Sequence, residues 1–264
     1  MLLNLSLFFA YVNARIEECR DLSFLADPKN TNERTLVAFD IDEVLMTYPD
    51  KALNTYYERH LGQIDNPMFY QIAFTHPEAL VNPDTPQIIQ GLQERDIKTI
   101  ALTSRTIEVI GFIGSTEIYN PDFTFDCLQR FGIDFRTSFP DLNHTFLTLP
   151  QEPYPLFENG ILFANNNPKG AALVSFLTTI VQNFQVTKII FVDNELRHLL
   201  SVEQALQDYE SRIEFIGLHH TLEASQLQPL TILNFQVRDF QIHHFQQTNE
   251  WLHDDQAKAR ISNP

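Results

Sequence analysis

The 264-residue chain is long enough for one α/β domain with an insertion or for two small domains, and its 44% hydrophobic residues suffice for a buried core. This composition excludes an intrinsically disordered protein. Asp and Glu number 34 against 18 Lys and Arg, which gives a formal net charge of -16. Binding to a phosphate backbone needs clustered basic side chains, and the sequence has no such cluster. We therefore expect no nucleic acid partner.

The chain begins with an uncharged apolar run, MLLNLSLFFAYVNA, at residues 1–14. Such a run is typical of a signal peptide, which predicts an exported protein, periplasmic or secreted. No Lys or Arg precedes the run, so a buried N-terminal helix is the alternative. No later segment predicts a membrane span in the mature chain. Cys19 and Cys127 could form one disulfide after export or remain free thiols.

The body of the chain alternates between strand and helix patterns. Residues 15–34 are polar and predict a lead-in helix followed by a loop. Apolar spacing then predicts buried parallel strands at 35–39, 98–103, 188–192 and 213–217, with helices at 86–93, 171–181 and 196–206. Because right-handed crossovers join such units, we expect an α/β fold with a doubly wound parallel sheet.

Three further segments depart from this alternation. Residues 46–82 are rich in aromatic residues and predict a mostly helical insertion after the first strand, overhanging the carboxyl edge of the sheet. The Asn159-Gly160 pair predicts a β-hairpin within residues 156–163. Residues 227–264 predict a strand or loop followed by a polar helix that holds Trp251.

The aromatic residues of the insertion allow two interpretations. They could form a lid that faces a substrate, or they could form a small hydrophobic core. The sequence does not separate these alternatives for Tyr56, Tyr57, Phe69 and Tyr70.

Chemically useful side chains follow the predicted strands, and in open α/β sheets ligands bind beyond the carboxyl ends of the strands. The first strand leads directly into Asp40 and Asp42. A lysine, Lys169, opens the helix predicted near residue 171. The remaining candidates are Thr103, Ser104 and Arg105 after the second strand and Asp193, Asn194 and Glu195 after the third.

These residue types fit phosphoryl transfer, which needs an in-line nucleophile, neutralisation of charge and an acid for the leaving oxygen. Asp40 can attack phosphorus and form an aspartyl-phosphate, and Asp42 can act as general acid and base. Mg²⁺ prefers hard oxygen ligands, which Asp40, the backbone carbonyl of Asp42 and Asp193 supply. The sequence thus predicts a Mg²⁺-dependent enzyme with a small phosphorylated substrate.

The oxygens of the transferred phosphoryl group need further ligands. Thr103 and Lys169 are the candidates, and the Ser104 hydroxyl could act in place of Thr103. Lys169 would also offset the repulsion among clustered carboxylates.

The order of these motifs resembles the haloacid dehalogenase (HAD) superfamily of phosphohydrolases over residues 35–217. The runs IEECRDLSFL, TLVAFDIDEVLM and FIGLHH are similar to an uncharacterised family of exported bacterial HAD-like proteins. The Thr103-Ser104-Arg105 step also resembles the Thr-Gly-Arg step of secreted HAD acid phosphatases. This resemblance implies a core of residues 15–45 and 83–264 with a helical cap at 46–82.

The resemblance also implies roles for single residues. Asp40 would be the nucleophile, Asp42 the acid and base, and Asp193 a metal ligand; Thr103 and Lys169 would bind phosphate. Glu43 and Val44 depart from this pattern, because many members have Gly and Thr there. Asn194 occupies the place of a frequent second carboxylate, so Asn194 or Glu195 could reach the metal through water.

Two other functions compete with the phosphatase. A HAD scaffold that has lost catalysis and serves as a binding module is compatible with the departures at Glu43, Val44 and Asn194. A signalling receiver domain uses similar Asp, Thr and Lys residues. The receiver is disfavoured because Lys169 precedes Asp193, whereas a receiver's lysine follows the last strand. The His219-His220 and His243-His244 pairs predict structural or surface roles, because adjacent side chains on a strand point in opposite directions.

Overall fold

The computed structural model describes residues 14–180, 185–210 and 212–262. Its strands, in chain order, are β1 (Arg15–Cys19), β2 (Thr35–Phe39), β3 (Met46–Thr47), β4 (Ala79–Leu80), β5 (Lys98–Thr103), β6 (Val109–Ile113), β7 (Thr116–Tyr119), β8 (Thr145–Phe146), β9 (Leu156–Glu158), β10 (Ile161–Phe163), β11 (Lys188–Asp193) and β12 (Glu214–His220). Its α-helices are α1 (Ser23–Ala26), α2 (Thr55–Leu61), α3 (Asn66–Thr75), α4 (Thr85–Gln93), α5 (Asn120–Arg130), α6 (Lys169–Thr179), α7 (Leu196–Tyr209), α8 (Leu222–Gln226), α9 (Ile232–Thr248) and α10 (Asp254–Ser262).

A mostly parallel sheet forms the centre of the molecule, in the order β1-β12-β11-β2-β5-β10-β9-β8. The strands from β1 to β10 in this order are parallel, and β9 and β8 add an antiparallel edge. Strand β2 lies between β11 and β5, so the chain winds away from it in both directions. The carboxyl end of β2 is therefore the point at which open α/β sheets bind ligands.

Strand β2 is buried on both faces, because alternate residues belong to two separate cores. Val37 and Phe39 face a core that includes Ile89 and Leu92 of α4. Leu36 and Ala38 face the other core, which α6 and α7 complete. Helices thus cover both faces of the sheet, as the continuous apolar run of β2 predicts.

The four predicted strands correspond to β2, β5, β11 and β12, and the three predicted helices correspond to α4, α6 and α7. The predicted insertion is mostly helical, with α2 and α3 between the short antiparallel strands β3 and β4. The β6–β7 hairpin, by contrast, is an element that the sequence did not reveal.

Two predictions were wrong. Residues 15–34 do not begin with a helix: Arg15–Cys19 is the edge strand β1, paired in parallel with β12, and only the short α1 follows. An edge strand tolerates charged side chains, which explains its helix-like polarity. The C-terminal segment holds two helices, α9 and α10, and Trp251 lies buried between them rather than inside a helix. The first of these helices ends because Asn249 adopts a left-handed conformation.

The predicted signal peptide lies almost wholly outside the described residues, which start at residue 14. Within the described ranges, none of the helices combines the length and apolar character needed to cross a bilayer. Cys19 and Cys127 are both free thiols.

The predicted hairpin is present, with β9 and β10 antiparallel on either side of Asn159-Gly160. Both residues have positive φ, 52° and 78°, as a two-residue turn of this kind requires. A Cβ atom on Gly160 would lie 2.4 Å from the carbonyl carbon of Phe135. Glycine is therefore required here for two reasons, the backbone conformation and the contact.

We expect Gly160→Ala to lower the free energy of unfolding by about 2 to 5 kcal/mol, since it adds a backbone clash to the conformational strain. The matched control is Gly114→Ala, where φ is 63° but nothing lies within 4 Å of the added Cβ. That change should cost only about 1 kcal/mol. Urea unfolding of both variants measures the difference, and equal losses would show that the contact with Phe135 is unimportant.

Candidate active site

The candidate site lies at the carboxyl ends of three neighbouring strands. Strand β2 pairs with β11 and with β5, so Asp40, Asp193 and Thr103 come to the same edge of the sheet. The backbone amide of Asp40 donates to the carbonyl of Val192 at 2.9 Å, which continues the ladder past the end of β2. The first candidate carboxylate is thus fixed by the sheet itself.

A buried lysine bridges the two carboxylates. The Nζ atom of Lys169 lies 2.7 Å from Oδ1 of Asp40 and 2.7 Å from Oδ2 of Asp193. Lys169 is 1% exposed, Asp193 is fully buried and Asp40 is 5% exposed. Since isolated buried charges are very unfavourable, each of the three groups depends on the others.

Burial and charge set the protonation of this cluster. Burial alone would lower the pKa of Lys169, but Asp40 and Asp193 outweigh it and raise that pKa, so the side chain is an ammonium. Burial raises the pKa of Asp193, but Lys169 and His198 bring it below its usual value. For Asp40, burial prevails and raises the pKa to about 8. The reason is that a single ammonium offsets the charge of one buried carboxylate but not that of two.

His198 is a site residue that the sequence analysis missed. Its Nδ1 lies 3.2 Å from Oδ2 of Asp193. It stands in the first turn of α7, five residues after Asp193, and that spacing was the only available signal. Asp40, Asp193 and His198 form a group whose ligand atoms lie within 4.8 Å of one another. The two carboxylates match the hard oxygen ligands of Mg²⁺, and His198 can orient Asp193.

Asp42 pairs with Arg105, whereas Asp40 pairs with Lys169. Arg105 donates from Nη2 to Oδ1 of Asp42 at 2.6 Å and from Nε to Oδ2 at 3.2 Å. The same guanidinium donates to Glu78 and Thr124, so it ties the insertion to helix α5. Burial raises the pKa of Asp42, but Arg105 outweighs it and holds the pKa below its usual value. The Asp42 side chain is therefore an ionised partner of Arg105 and lies outside the Asp40, Asp193 and His198 group.

The two candidate phosphate-binding hydroxyls differ in accessibility. Thr103 is fully buried, and its Oγ1 accepts a hydrogen bond from the backbone amide of Arg105 at 3.2 Å. Ser104 is exposed beyond the end of β5. A ligand at the sheet edge can reach Ser104 directly, whereas the Thr103 hydroxyl already braces the Arg105 loop.

Asn194 and Glu195 contact the helical insertion. The amide nitrogen of Asn194 donates to the hydroxyl of Tyr56 at 3.2 Å. Glu195 pairs with Arg59 at 2.9 Å, and its backbone amide donates to Asp193 at 2.7 Å. Both residues thus connect helix α2 to the loop that carries Asp193.

Glu43 and Val44, the two residues that depart from the HAD pattern after Asp42, have structural roles. Glu43 has φ of 61° and is 3% exposed. Its carboxylate accepts hydrogen bonds from the Thr47 hydroxyl at 2.6 Å and from the Thr55 amide at 3.3 Å. Burial raises the pKa of Glu43 to about 7. Val44 is fully buried in the core, so Glu43 and Val44 together anchor the start of the insertion.

A cleft of about 230 Å³ lies between the insertion and the loops of the core. It is lined by Asp42 and Arg105 on one side and by Phe69 and Tyr70 on the other. Phe69 packs edge-on against Tyr48 and against Tyr70, so these aromatic residues form a small packed layer as well as a cleft wall. The ring packing agrees with the small hydrophobic core, and the substrate-facing lid stays a prediction for Phe69 and Tyr70.

The other two aromatic candidates make polar contacts. The Tyr56 hydroxyl accepts from Asn194, and the Tyr57 hydroxyl accepts from the Gln228 amide at 2.7 Å. These contacts join α2 to the core and to the segment before α9, and neither tyrosine lines the cleft.

The predicted histidine pairs make mostly local contacts. His219 bonds to the carbonyl of Asn194 at 3.0 Å, and His243 to Gln247 at 2.9 Å. His220 is buried, and neither ring nitrogen has a hydrogen bond in the described part of the chain.

Comparisons with known proteins show one matching family and several similar proteins of Rickettsia. A family model described as "Protein of unknown function (DUF2608)" matches residues 66–258. The chain is 27% identical to "Uncharacterized protein RP295" of Rickettsia prowazekii over 71% of this chain and 64% of the relative. It is 30% identical to an uncharacterized protein of Rickettsia felis over 55% of this chain and 49% of the relative. The chain thus spans about half to two thirds of the length of these relatives.

We expect Lys169→Met to lower the free energy of unfolding by about 3 to 5 kcal/mol, because it leaves the buried Asp193 carboxylate without its counter-charge and removes the hydrogen-bond partner of Asp40. Lys258→Met is the control, since Lys258 pairs with Asp255, whose side chain is 96% exposed. That change should stay within about 0.5 kcal/mol of wild type. Denaturant unfolding at neutral pH measures both, and a loss below about 1 kcal/mol in Lys169→Met would contradict the bridging role.

Proposed function

We propose that this chain, which belongs to the DUF2608 family, is a Mg²⁺-dependent phosphomonoester hydrolase that works through an aspartyl-phosphate on Asp40. The observation that carries the proposal is the ammonium of Lys169, 2.7 Å from both Asp40 and Asp193 at the ends of adjacent strands. A buried lysine between two carboxylates at a ligand-binding sheet edge suits an anionic, phosphorylated substrate.

Asp40 would attack as a carboxylate, a form that burial disfavours and that Lys169 and a cation held by Asp193 would favour. Its Oδ1 accepts from Lys169 and from the Ile41 amide, while Oδ2 has no hydrogen bond among the described residues. In the first half-reaction one carboxylate oxygen bonds to phosphorus as the bond to the leaving oxygen breaks, and the departing alkoxide takes up a proton. In the second half-reaction water attacks phosphorus, which releases inorganic phosphate and restores the Asp40 carboxylate.

Asp42 is the candidate to accept the proton of the attacking water once its pair with Arg105 opens, because that pair occupies both of its oxygens and holds its pKa below the usual value. Donation of a proton to the leaving group requires that Asp42 be protonated and that its pair with Arg105 open. Asp42 and Arg105 line the same cleft as Phe69 and Tyr70 of the insertion. Substrate entry into the cleft provides a reason for the pair to separate.

The charge of the transferred phosphoryl group needs cations on the protein side. Lys169 supplies one, and Asp40 and Asp193 would hold Mg²⁺ together with the backbone carbonyl of Asp42. When bound, the ion neutralises negative charge on the phosphoryl oxygens. His198 and the Glu195 amide orient Asp193 by hydrogen bonds at 3.2 Å and 2.7 Å.

As part of the same proposal, we assign residues 15–45 and 83–264 to a HAD-like core and residues 46–82 to a cap over the site. The contacts of Tyr56 and Arg59 with Asn194 and Glu195 support this assignment, because they hold α2 against the Asp193 loop. Selectivity for the substrate then resides in the cleft wall.

We also propose that the protein is exported to the periplasm or beyond, on the basis of the apolar run at residues 1–14.

A second candidate function is a phosphate-binding module without turnover. Arg105 occupies both oxygens of Asp42, and Lys169 is shared by two carboxylates, so the charged groups of the site satisfy one another. If the ion pairs of Arg105 and Lys169 stay closed when a ligand arrives, the site binds a phosphate or its analogue without hydrolysing an ester.

We expect the purified protein to hydrolyse a generic aryl phosphate with Mg²⁺, and Asp40→Asn to lower kcat by at least about 10³-fold because it removes the nucleophile. The control is Asp255→Asn at an exposed position, which should keep wild-type turnover. Unchanged turnover in Asp40→Asn would rule out the aspartyl-phosphate. Absence of turnover in wild type, with beryllofluoride still bound, would instead support the binding module.

The exposure of Ser104 predicts which hydroxyl binds phosphate. We expect Ser104→Ala to lower kcat/KM about tenfold without changing stability, since the side chain is free to reach a ligand. Thr103→Val should lower the free energy of unfolding by about 1 to 3 kcal/mol, because it leaves the Arg105 amide without its acceptor. Kinetics and thermal unfolding of the two variants separate the roles, and the reverse pattern would assign phosphate binding to Thr103.

A further inference from the structure

A second group of metal-ligating side chains lies away from the strand ends, where the insertion meets the C-terminal segment. Asp50 lies between β3 and α2, His76 ends α3, and His253 lies between α9 and α10. Within the described residues, these three offer one ligand atom each, all within 4.8 Å of one another. The group shares no residue with the Asp40 site.

The distances in this group suit a single metal ion. Oδ2 of Asp50 lies 2.8 Å from Nε2 of His76 and 3.2 Å from Nδ1 of His253. Two ligand atoms bound tetrahedrally to zinc, each about 2.0 to 2.1 Å from the ion, lie about 3.3 Å apart. The 3.2 Å pair fits this separation, and the 2.8 Å pair would have to widen slightly when an ion binds. The two imidazole rings are 4.4 Å apart between centroids and tilted by 53°, so they converge without stacking.

The His76 ring is buried against the Asp50 carboxylate. His76 is 6% exposed, and its Nε2 lies 2.8 Å from Oδ2 of Asp50, a short contact whose angles fall outside those of a regular hydrogen bond. Buried polar atoms in native proteins normally have a well-oriented partner. An ion at about 2.0 to 2.2 Å from each of the two atoms, beside the line that joins them, would supply one.

The carboxylate of Asp50 is already held in orientation. Its Oδ1 accepts from the Asp254 amide at 2.9 Å, and its Oδ2 is 3.3 Å from the indole nitrogen of Trp251. Carboxylate ligands in metal sites are commonly fixed by such outer hydrogen bonds. This also explains why Trp251 lies between α9 and α10: its indole reaches back to Asp50.

The ligand types select the class of metal. Two imidazole nitrogens and one carboxylate oxygen suit zinc and its first-row neighbours, whereas Mg²⁺ and Ca²⁺ prefer oxygen alone. The His253 side chain is 57% exposed, so the fourth position faces solvent. The net charge of -16 also favours cation binding over the whole surface.

We propose that Asp50, His76 and His253 bind a divalent transition-metal ion of the zinc class, which joins the helical insertion to the C-terminal helices. This site is independent of the proposed phosphatase activity. A bound ion links residues that are about 200 positions apart in the chain, so it stabilises the position of the insertion over the sheet edge.

The test uses the full chain after removal of metals with a chelator, with Co²⁺ and Zn²⁺ as probes. We expect one equivalent of Co²⁺ to produce a visible absorption band that Zn²⁺ abolishes, and Zn²⁺ to raise the midpoint of thermal unfolding. His253→Gln should weaken Co²⁺ binding at least about tenfold, the loss that even an outer-shell change causes. Because His253 is exposed, this variant keeps the fold, and His76→Ala provides a second, buried test.

Two controls locate the ion. His243→Gln changes an exposed histidine outside the group and should leave the band unchanged. The variant Asp40→Asn removes one carboxylate of the strand-end group, leaves the Lys169–Asp193 pair in place and should also retain the band. The proposal is overturned if wild type shows neither the band nor the thermal shift, if His253→Gln binds Co²⁺ as wild type does, or if the band is lost in Asp40→Asn.

Discussion

The burial of one ammonium between two carboxylates is the constraint on which the rest of the site depends. Lys169 can occupy this position only because α6 begins there and packs very closely against α7: a Cβ on Gly170 would lie 2.1 Å from the Ser201 carbonyl oxygen. The carboxylates in turn come from β2 and β11, which the sheet holds side by side. Charges taken out of water stabilise the fold only when their partners are in place, so helix packing and site geometry are a single requirement.

The helical insertion packs into the same hydrophobic core as β2 and α4, since Leu53 and Ile72 are buried in one cluster with Phe39, and polar contacts add to this packing near the site. Tyr56 and Arg59 bond to the two residues after Asp193, and Glu78 shares Arg105 with Asp42. Under the proposed function, the cleft lined by Asp42, Arg105, Phe69 and Tyr70 would suit a substrate with an anionic group and an apolar or planar remainder.

The sequence predicted those strands and turns whose conformation is determined by neighbouring residues in the chain. The continuous apolar runs of β2, β5 and β11 have no solvent-facing side, so the sequence alone indicated parallel strands. The Asn159-Gly160 turn was predictable because its chemistry is local. The edge strand β1 was mistaken for a helix since one side of it is exposed and charged, and only its pairing with β12 determines its state. Trp251 was misplaced for a similar reason: its position depends on Asp50, 201 residues earlier in the chain.

The sequence by itself determined which residues stand at the strand ends, because Asp40, Thr103 and Asp193 each follow a run that must be buried. It also indicated Lys169 at the start of a helix. Only the tertiary structure decided how these groups are used. It brought His198 to Asp193, placed Arg105 on Asp42 and gathered Asp50 with His76 and His253. The physical reason is that strand burial is encoded in neighbouring residues, whereas hydrogen bonds and ion pairs join side chains whose separation along the chain carries no periodic signal.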